Sequence, residues 1–115
     1  MAPPDLKRFR RGEETRGVMA PSQAGEVIAA SIAARRRLSF TYNGRRRLVE
    51  PQCVGLGAKG NELLRGHQIS GGTEAEPLFM VAKMSDVVVL DDRFSKPGPN
   101  YKKGDSAMKT IFAEL

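Results

Sequence analysis

The sequence predicts an α+β fold in which an N-terminal helix precedes a small, strongly bent five-stranded antiparallel sheet or barrel and a short C-terminal helix. Three observations favour it: one amphipathic segment comes first, five short β-forming segments follow, and turn residues separate them. With 115 residues, the chain has enough material for one domain with one core. We expect a disordered basic tail over 1–22 and a single domain over 23–115.

The predicted helix has Ser22 as its N-cap and runs to about Arg37. The arginines at 35–37 suit the negative end of the helix dipole. Met19 stands just before this ordered pattern and is an alternative translation start. One narrow apolar stripe is expected to face the rest of the domain, and it consists of Val27, Ile28 and Ile32.

The first two strands are predicted to form a hairpin. The segment 38–42 alternates apolar and polar residues, and Asn43-Gly44 behind it is a strong signal for a type I′ turn. The return strand begins at Arg45 and runs toward Val54. Three shorter strands are predicted over 62–69, 78–82 and 87–90, the last apolar throughout and therefore buried on both faces.

The end of the chain is predicted to be helical. Asp105 is suited to cap a short C-terminal helix that contains Met108, Ile111 and Phe112. A sheet of this size can close into an SH3-like or Sm-like barrel, which would hide its edges.

The register of the hairpin follows from its turn. A two-residue turn sets Tyr42 opposite Arg45 and Phe40 opposite Arg47, all on one face, while Arg46 lies on the other face. Guanidinium groups beside aromatic rings suit phosphates and stacked bases. Alternatively, the arginines lie at the rim and extend over the apolar face into solvent. Both interpretations stay open for Arg47, and the second is favoured for Arg45 and Arg46.

Positive charge is concentrated in one part of the chain, whose formal net charge is +6. Residues 23–49 carry six arginines against one glutamate, whereas residues 50–92 carry three basic residues against seven acidic ones. Such a patch favours an anionic partner, although a basic surface also serves solubility.

Several function classes are disfavoured. One cysteine, Cys53, allows no internal disulfide and fits a reducing cytoplasm. With His67 as the single histidine, no metal constellation is present, and no cofactor is expected. The glycine-rich segment 55–60 lacks the ending of a phosphate loop. No apolar run is long enough to span a membrane, and no signal peptide is seen. No nucleophile–base pair is evident, so we expect a binding module and not an enzyme.

Several short motifs together carry a family resemblance. A helix with basic residues precedes an apolar-x-Phe-x-Tyr strand at 38–42, and residues 47–51 match an Arg-x-Val-Glu-Pro element. The segment 79–87 is similar to a Phe-x-x-x-Arg-Ile-x-x-Val strand pair, with Lys83 and Met84 in the Arg-Ile places. On these motifs, residues 27–90 resemble the WYL domain of bacterial regulators.

The chain departs from this family at three places. The tripeptide that names the family falls at Glu62-Leu63-Leu64, where only the leucine at 64 is kept. The tyrosine expected soon after it is His67, and the arginine expected after Phe79 is Met80. These substitutions touch positions that line the family's ligand groove, so the resemblance implies a changed or degenerate groove.

The resemblance implies a helix plus a small Sm-like or SH3-like sheet and a role in sensing ligands for transcription regulation. Such ligands are thought to include nucleic acids or nucleotides. The domains usually follow a helix-turn-helix, for which the tail over 1–22 is too short, so we expect a standalone module. By the same resemblance, the groove residues are Tyr42, Arg47, His67 and Lys83.

Two hypotheses follow. In the first, the module binds a nucleotide or single-stranded nucleic acid, with phosphate contacts, stacking and added charge. The ligand-binding residues would then be Arg47, Tyr42, His67, Lys83, Arg45 and Arg65. In the second, the barrel edges or the C-terminal helix bind a protein partner or a second copy of the chain, and no small ligand is bound.

Overall fold

The computed structural model describes residues 20–115. Residues 1–19 of the predicted tail, including Met19, lie outside this range. The described part forms one α-helix, six strands and a single 3-10 turn at Val81–Lys83. In chain order they are α1 (Gln23–Ala34), β1 (Arg36–Tyr42), β2 (Arg45–Leu56), β3 (Glu62–Ser70), β4 (Leu78–Met80), β5 (Ser85–Arg93) and β6 (Thr110–Glu114).

The strands form one antiparallel sheet in the order β4-β3-β2-β1-β5. The long strand β2 has β3 along one edge, and its other edge is shared by β1 at the start and β6 at the end. Among the described residues β4 and β5 do not pair with each other, so the sheet is open and the predicted barrel is wrong. β4 has only three residues and continues into the 3-10 turn, which removes the strand that closure would need.

The helix begins where predicted and ends earlier. Ser22 is the N-cap, and its hydroxyl accepts a 3.0 Å hydrogen bond from the Gly25 N–H. Arg35 takes the left-handed conformation at φ 55° and donates its N–H to the Ile32 carbonyl, which ends the helix. Arg36 and Arg37 therefore belong to β1, and their predicted role at the helix dipole is wrong.

The hairpin has the predicted register. Asn43 and Gly44 both have positive φ, at 51° and 77°, as a type I′ turn requires. Tyr42 pairs with Arg45 and Phe40 with Arg47. The face assignment made from the sequence is thus confirmed.

The predicted C-terminal helix is wrong. Residues 110–114 form β6, which pairs with β2 at Cys53–Leu56. The apolar residues there suit either a strand or a helix, and the unpaired edge of β2 decides in favour of the strand. Gly55 allows close pairing, because a Cβ at that position would clash with the Thr110 carbonyl. Asp105 pairs with Arg65 and caps no helix.

The fourth and fifth predicted strands change in length and exposure. The fourth ends at Met80 and not at 82. The fifth extends over Ser85–Arg93 and is an edge strand of the described sheet, because within residues 20–115 it pairs with β1 alone. Its Val88 is 46% exposed, so burial on both faces is wrong.

The main core lies between α1 and one face of the sheet. It consists of buried apolar side chains, namely Ile28, Ile32, Leu38, Phe40, Val49, Val54, Leu64, Phe79 and Val81. Residues 94–109 cross the opposite face, where Phe94 and Met108 are buried and a Cβ at Gly98 would lie 2.9 Å from the His67 ring. The helix α1 therefore covers one face of the sheet, and residues 94–109 cover the other.

Candidate functional site

A groove of about 540 Å³ lies at the turn end of the hairpin, against the loop that joins β3 to β4. We call it the hairpin groove. Three of the predicted site residues line it, namely Tyr42, Arg45 and Arg47. The other lining residues are Asn43, Gln68, Gly71, Gly72, Thr73, Glu74, Pro77, Leu78 and Phe79.

Arg47 is held in the hairpin groove by its neighbours. Its Nη1 donates to Gln68 Oε1 at 3.1 Å, and its Nη2 donates to the Tyr42 carbonyl at 2.9 Å. The guanidinium carbon lies 5.7 Å from the centroid of the Tyr42 ring and 6.0 Å from that of Phe79, within cation–π range. The group is fixed before any ligand arrives.

An aromatic cluster supports this arginine. Phe79 meets Phe40 and Tyr42 edge to face, at centroid distances of 5.0 and 4.9 Å. The Tyr42 hydroxyl accepts a 3.0 Å hydrogen bond from the Met80 N–H and so joins β1 to β4. The three rings form a rigid apolar body, and the Tyr42 hydroxyl adds a polar tip to it.

Two glycines bring the loop onto Arg47. Gly71 has φ 104°, and a Cβ there would clash with the Arg46 carbonyl. A Cβ at Gly72 would lie 2.6 Å from Arg47 Nη1 and 2.8 Å from Gln68 Nε2. Only a residue without a side chain lets the backbone approach this closely.

Arg45 and Arg46 are neighbours in sequence on opposite faces of the hairpin. Arg45 lines the hairpin groove and is exposed. Arg46 is also exposed, but its guanidinium donates to the hydroxyls of Ser39 and Thr41 at 2.9 and 3.2 Å. The solvent interpretation therefore fits Arg46, whereas Arg45 belongs to the groove.

The remaining predicted site residues do not join them. His67 and Arg65 project from the other face of β3 and line two different depressions under residues 94–109. Lys83 is exposed on the 3-10 turn and lines neither the hairpin groove nor these two depressions. The four residues that the resemblance assigns to one groove, Tyr42, Arg47, His67 and Lys83, therefore do not share one, because alternation along β3 puts Gln68 toward Arg47 and His67 away from it.

His67 contacts a carboxylate that is also paired with Arg37. Glu50, 7% exposed, accepts a 2.9 Å hydrogen bond through Oε2 from Arg37 Nε, and Arg37 Nη2 lies 2.9 Å from the same oxygen in an ion pair. Its Oε1 lies 3.2 Å from His67 Nδ1. A carboxylate that is paired with an arginine acts as an acceptor, so this contact favours the tautomer with a proton on Nδ1 and leaves Nε2 for a ligand.

Arg65 serves the fold. It forms an ion pair with Asp105, with Nε 2.9 Å from Oδ2, and this hydrogen bond raises the pKa of Arg65 although burial opposes it. Burial alone would raise the pKa of Asp105, but hydrogen bonds from Arg65 and from the Ala107 N–H hold it below its ordinary value. Burial, helped by Asp105 and Glu114, raises the pKa of the nearby Cys53 thiol to about 12, so the thiol stays protonated.

Residues 20–115 contain no group of three or more metal-ligating side chains. No helix within that range is long and apolar enough to cross a membrane.

The sequence reasoning missed several residues that shape the sites. Gln68, Glu74 and Phe79 line the hairpin groove, and Glu50 bridges Arg37 and His67. The double glycine at 71–72 lies between two predicted strands, at 62–69 and 78–82. Its position three residues after Gln68, in a chain with an Arg-rich hairpin, was the available signal for close backbone approach.

No family model and no curated protein matches the chain. Among solved structures, it is similar to proteasome accessory factor B/C (PafBC) of Arthrobacter aurescens, with 24% sequence identity and a TM-score of 0.60. The match covers 75% of this chain and 14% of that one, so the chain spans a small part of PafBC's length. The similarity shows that the helix and open sheet described above share their fold with a segment of PafBC.

Proposed function

We propose that the chain is a WYL-like binding module whose hairpin groove takes a nucleotide or a single-stranded nucleic acid, in bacterial transcription regulation. The observation that carries the proposal is the convergence of Arg45, Arg47 and Tyr42 on one groove. The sequence resemblance supplies the class of protein, and the fold shared with a segment of PafBC is compatible with it.

The two arginines have different roles in this proposal. Arg47 is fixed by Gln68 and Tyr42 and offers a cationic plane on which a base stacks, a contact of about 1–3 kcal/mol per base. Arg45 is exposed at the turn and contacts the phosphate. The groove volume of about 540 Å³ lies within the usual range of ligand pockets.

Binding is tested by fluorescence anisotropy with labelled single-stranded oligonucleotides over a range of salt concentrations. Arg45→Glu and Arg46→Glu are the matched pair, because they make the same charge change at adjacent exposed positions on opposite faces. We expect Arg45→Glu to weaken binding several-fold more than Arg46→Glu. Replacing Arg45 with Ala should also reduce the log–log salt slope by about 0.7, the value for one phosphate contact on a single strand.

Two results would contradict the proposal. One is the absence of binding at low salt. The other is an equal loss in both glutamate variants, which would indicate a diffuse charge effect with no groove. Competition by mononucleotides distinguishes a nucleotide pocket from a strand-binding surface.

A second candidate function is favoured by the exposed edge of β5. Within residues 20–115 this strand pairs with β1 alone, so its other backbone edge can pair with another strand, and Val88 on it is 46% exposed. A protein partner or a second copy would then add to the sheet. Native mass spectrometry distinguishes the two: an oligomer that Val88→Lys dissociates, without oligonucleotide affinity, supports this second function.

A further inference from the structure

A second pocket, of about 690 Å³, lies on the sheet face opposite the hairpin groove. We call it the arch pocket, because residues 93–99 arch over it. Its lining combines charged and ring-bearing side chains: Arg37, Glu50, His67, Arg93, Phe94, Ser95, Lys96, Pro97, Gly98 and Pro99.

The arch is anchored on both sides of its exposed middle. Phe94 is 6% exposed, and its N–H donates to the Arg35 carbonyl at 3.0 Å. Arg35 Nη1 donates to the Ser95 carbonyl at 2.9 Å. Gly98 is buried, and its N–H donates to Gln52 Oε1 at 2.6 Å. The wall of the pocket is therefore in place without a ligand.

The charges around the arch pocket leave a positive excess. At its floor Arg37 forms an ion pair with Glu50, and its Nη1 also lies 3.8 Å from Asp92 Oδ2, so Arg37 adds no net positive charge there. Arg93 and Lys96 are exposed at the mouth, and one hydrogen bond from Arg93 Nη1 to the Ala34 carbonyl leaves its other N–H groups for an anion.

The imidazole of His67 adds a proton-sharing group to these cations. Its Nδ1 is occupied by Glu50, which fixes the ring and leaves Nε2 toward the pocket. A phosphate monoester offers both a hydroxyl and unprotonated oxygens, so it can pair with Nε2 whether that nitrogen accepts or donates a hydrogen bond.

We propose that the arch pocket binds the phosphate group of a small monoester that carries a flat apolar group. The phosphate lies among His67, Arg93 and Lys96, and the flat group contacts the rings of Pro97 and Pro99. This site is separate from the hairpin groove, and it stands or falls independently of the function proposed there.

The test uses nuclear magnetic resonance on the full chain near pH 7, with phenyl phosphate as the probe. The chain has one histidine, so the imidazole Cε1–H signal reports on His67 alone. We expect phenyl phosphate to shift this signal in a saturable way and to bind more tightly than inorganic phosphate. Lys96→Gln should weaken binding roughly two- to fivefold, as expected for an exposed ion pair.

Lys59→Gln is the matched control, because it removes the same charge from an exposed turn between β2 and β3. It should leave phenyl phosphate affinity unchanged. No shift of the His67 signal, or an equal loss in both lysine variants, overturns the proposal. Equal affinity for phenyl phosphate and inorganic phosphate would contradict the proposal that the ligand carries a flat apolar group.

An oligonucleotide arm separates this site from the hairpin groove. A single strand that shifts the His67 signal at lower concentration than phenyl phosphate would overturn the small-molecule assignment. Phenyl phosphate binding that survives Arg45→Glu, together with oligonucleotide binding that survives Lys96→Gln as well as Lys59→Gln, supports two independent sites.

Discussion

Replacing Arg47 with lysine should destabilise the protein, although it keeps the charge. The change removes the hydrogen bonds to Gln68 and to the Tyr42 carbonyl, at 3.1 and 2.9 Å. Hydrogen bonds from a charged group contribute about 1.5–3 kcal/mol each. Arg47 Nε is buried and has no hydrogen-bond partner among the described residues. Lysine lacks this atom, so the substitution also removes a desolvation cost of about 1 kcal/mol from the folded state. We therefore expect the free energy of unfolding to fall by about 2 kcal/mol or more.

The assay is urea and thermal unfolding followed by circular dichroism, with Arg45→Lys as the control. A loss of about 2 kcal/mol lowers the Tm by roughly 10 °C in a domain of this size. Arg45 is exposed, so its replacement should stay within about 0.5 kcal/mol of the wild type. If Arg47→Lys is as stable as Arg45→Lys, the internal hydrogen bonds of Arg47 do not hold the groove together. If the loss is found, binding defects of Arg47 variants must be corrected for folding, and Arg45 is the better probe.

Three further predictions concern the loop, the thiol and the Arg65 pair. Gly71→Ala should lower the free energy of unfolding in urea by about 2 kcal/mol or more, because the residue has φ 104° and the new Cβ would clash with the Arg46 carbonyl. A loss below about 0.5 kcal/mol would show that the loop relaxes easily. Burial raises the pKa of the Cys53 thiol to about 12, so a thiol reagent at pH 8 should label it only when the protein opens. Labelling of the folded protein as fast as that of the protein unfolded in urea would contradict this. Folding lowers the pKa of Asp105. Its pairing with Arg65 therefore stabilises the protein fully at pH values above the pKa of the unfolded chain, near 3.9. This contribution is lost as the pH falls through the lower pKa of the folded state. The stability difference between wild type and Asp105→Asn should thus be constant near neutral pH and shrink in acid, and a difference that grows in acid would refute the sign.

The parts of the fold that depend on local signals were predictable from sequence. Asn43-Gly44 determines a two-residue turn, and that turn determines every pairing from Tyr42–Arg45 to Leu38–Val49. The side-by-side placement of Arg45, Arg47 and Tyr42 follows from it. The helix start also followed from one residue, Ser22, whose side chain can cap a helix.

The parts that depend on distant contacts were not predictable. Residues 110–114 carry no signal stronger than their mixed propensity, and the edge of β2 that makes them a strand lies far away in the sequence. The face of β3 that carries His67 is set by its pairing with β2, which includes a register shift between Pro51 and Cys53. A single shift of this kind reverses which side chains meet. The period-two pattern places Arg65 and His67 on one face but does not say which.

The pairing of β6 with β2 has a kinetic consequence. Cys53 pairs with Glu114, 61 positions later in the chain, so this contact closes a long loop, whereas the hairpin closes a two-residue one. We expect amide protons of β6 to exchange with solvent sooner than those of β1, because the last strand to dock is also the first that can detach. Its release would loosen residues 94–109 and uncover Cys53, while the arginines at the hairpin turn would keep their places. One face of the sheet would then open and close on its own timescale, and the other would remain a fixed surface.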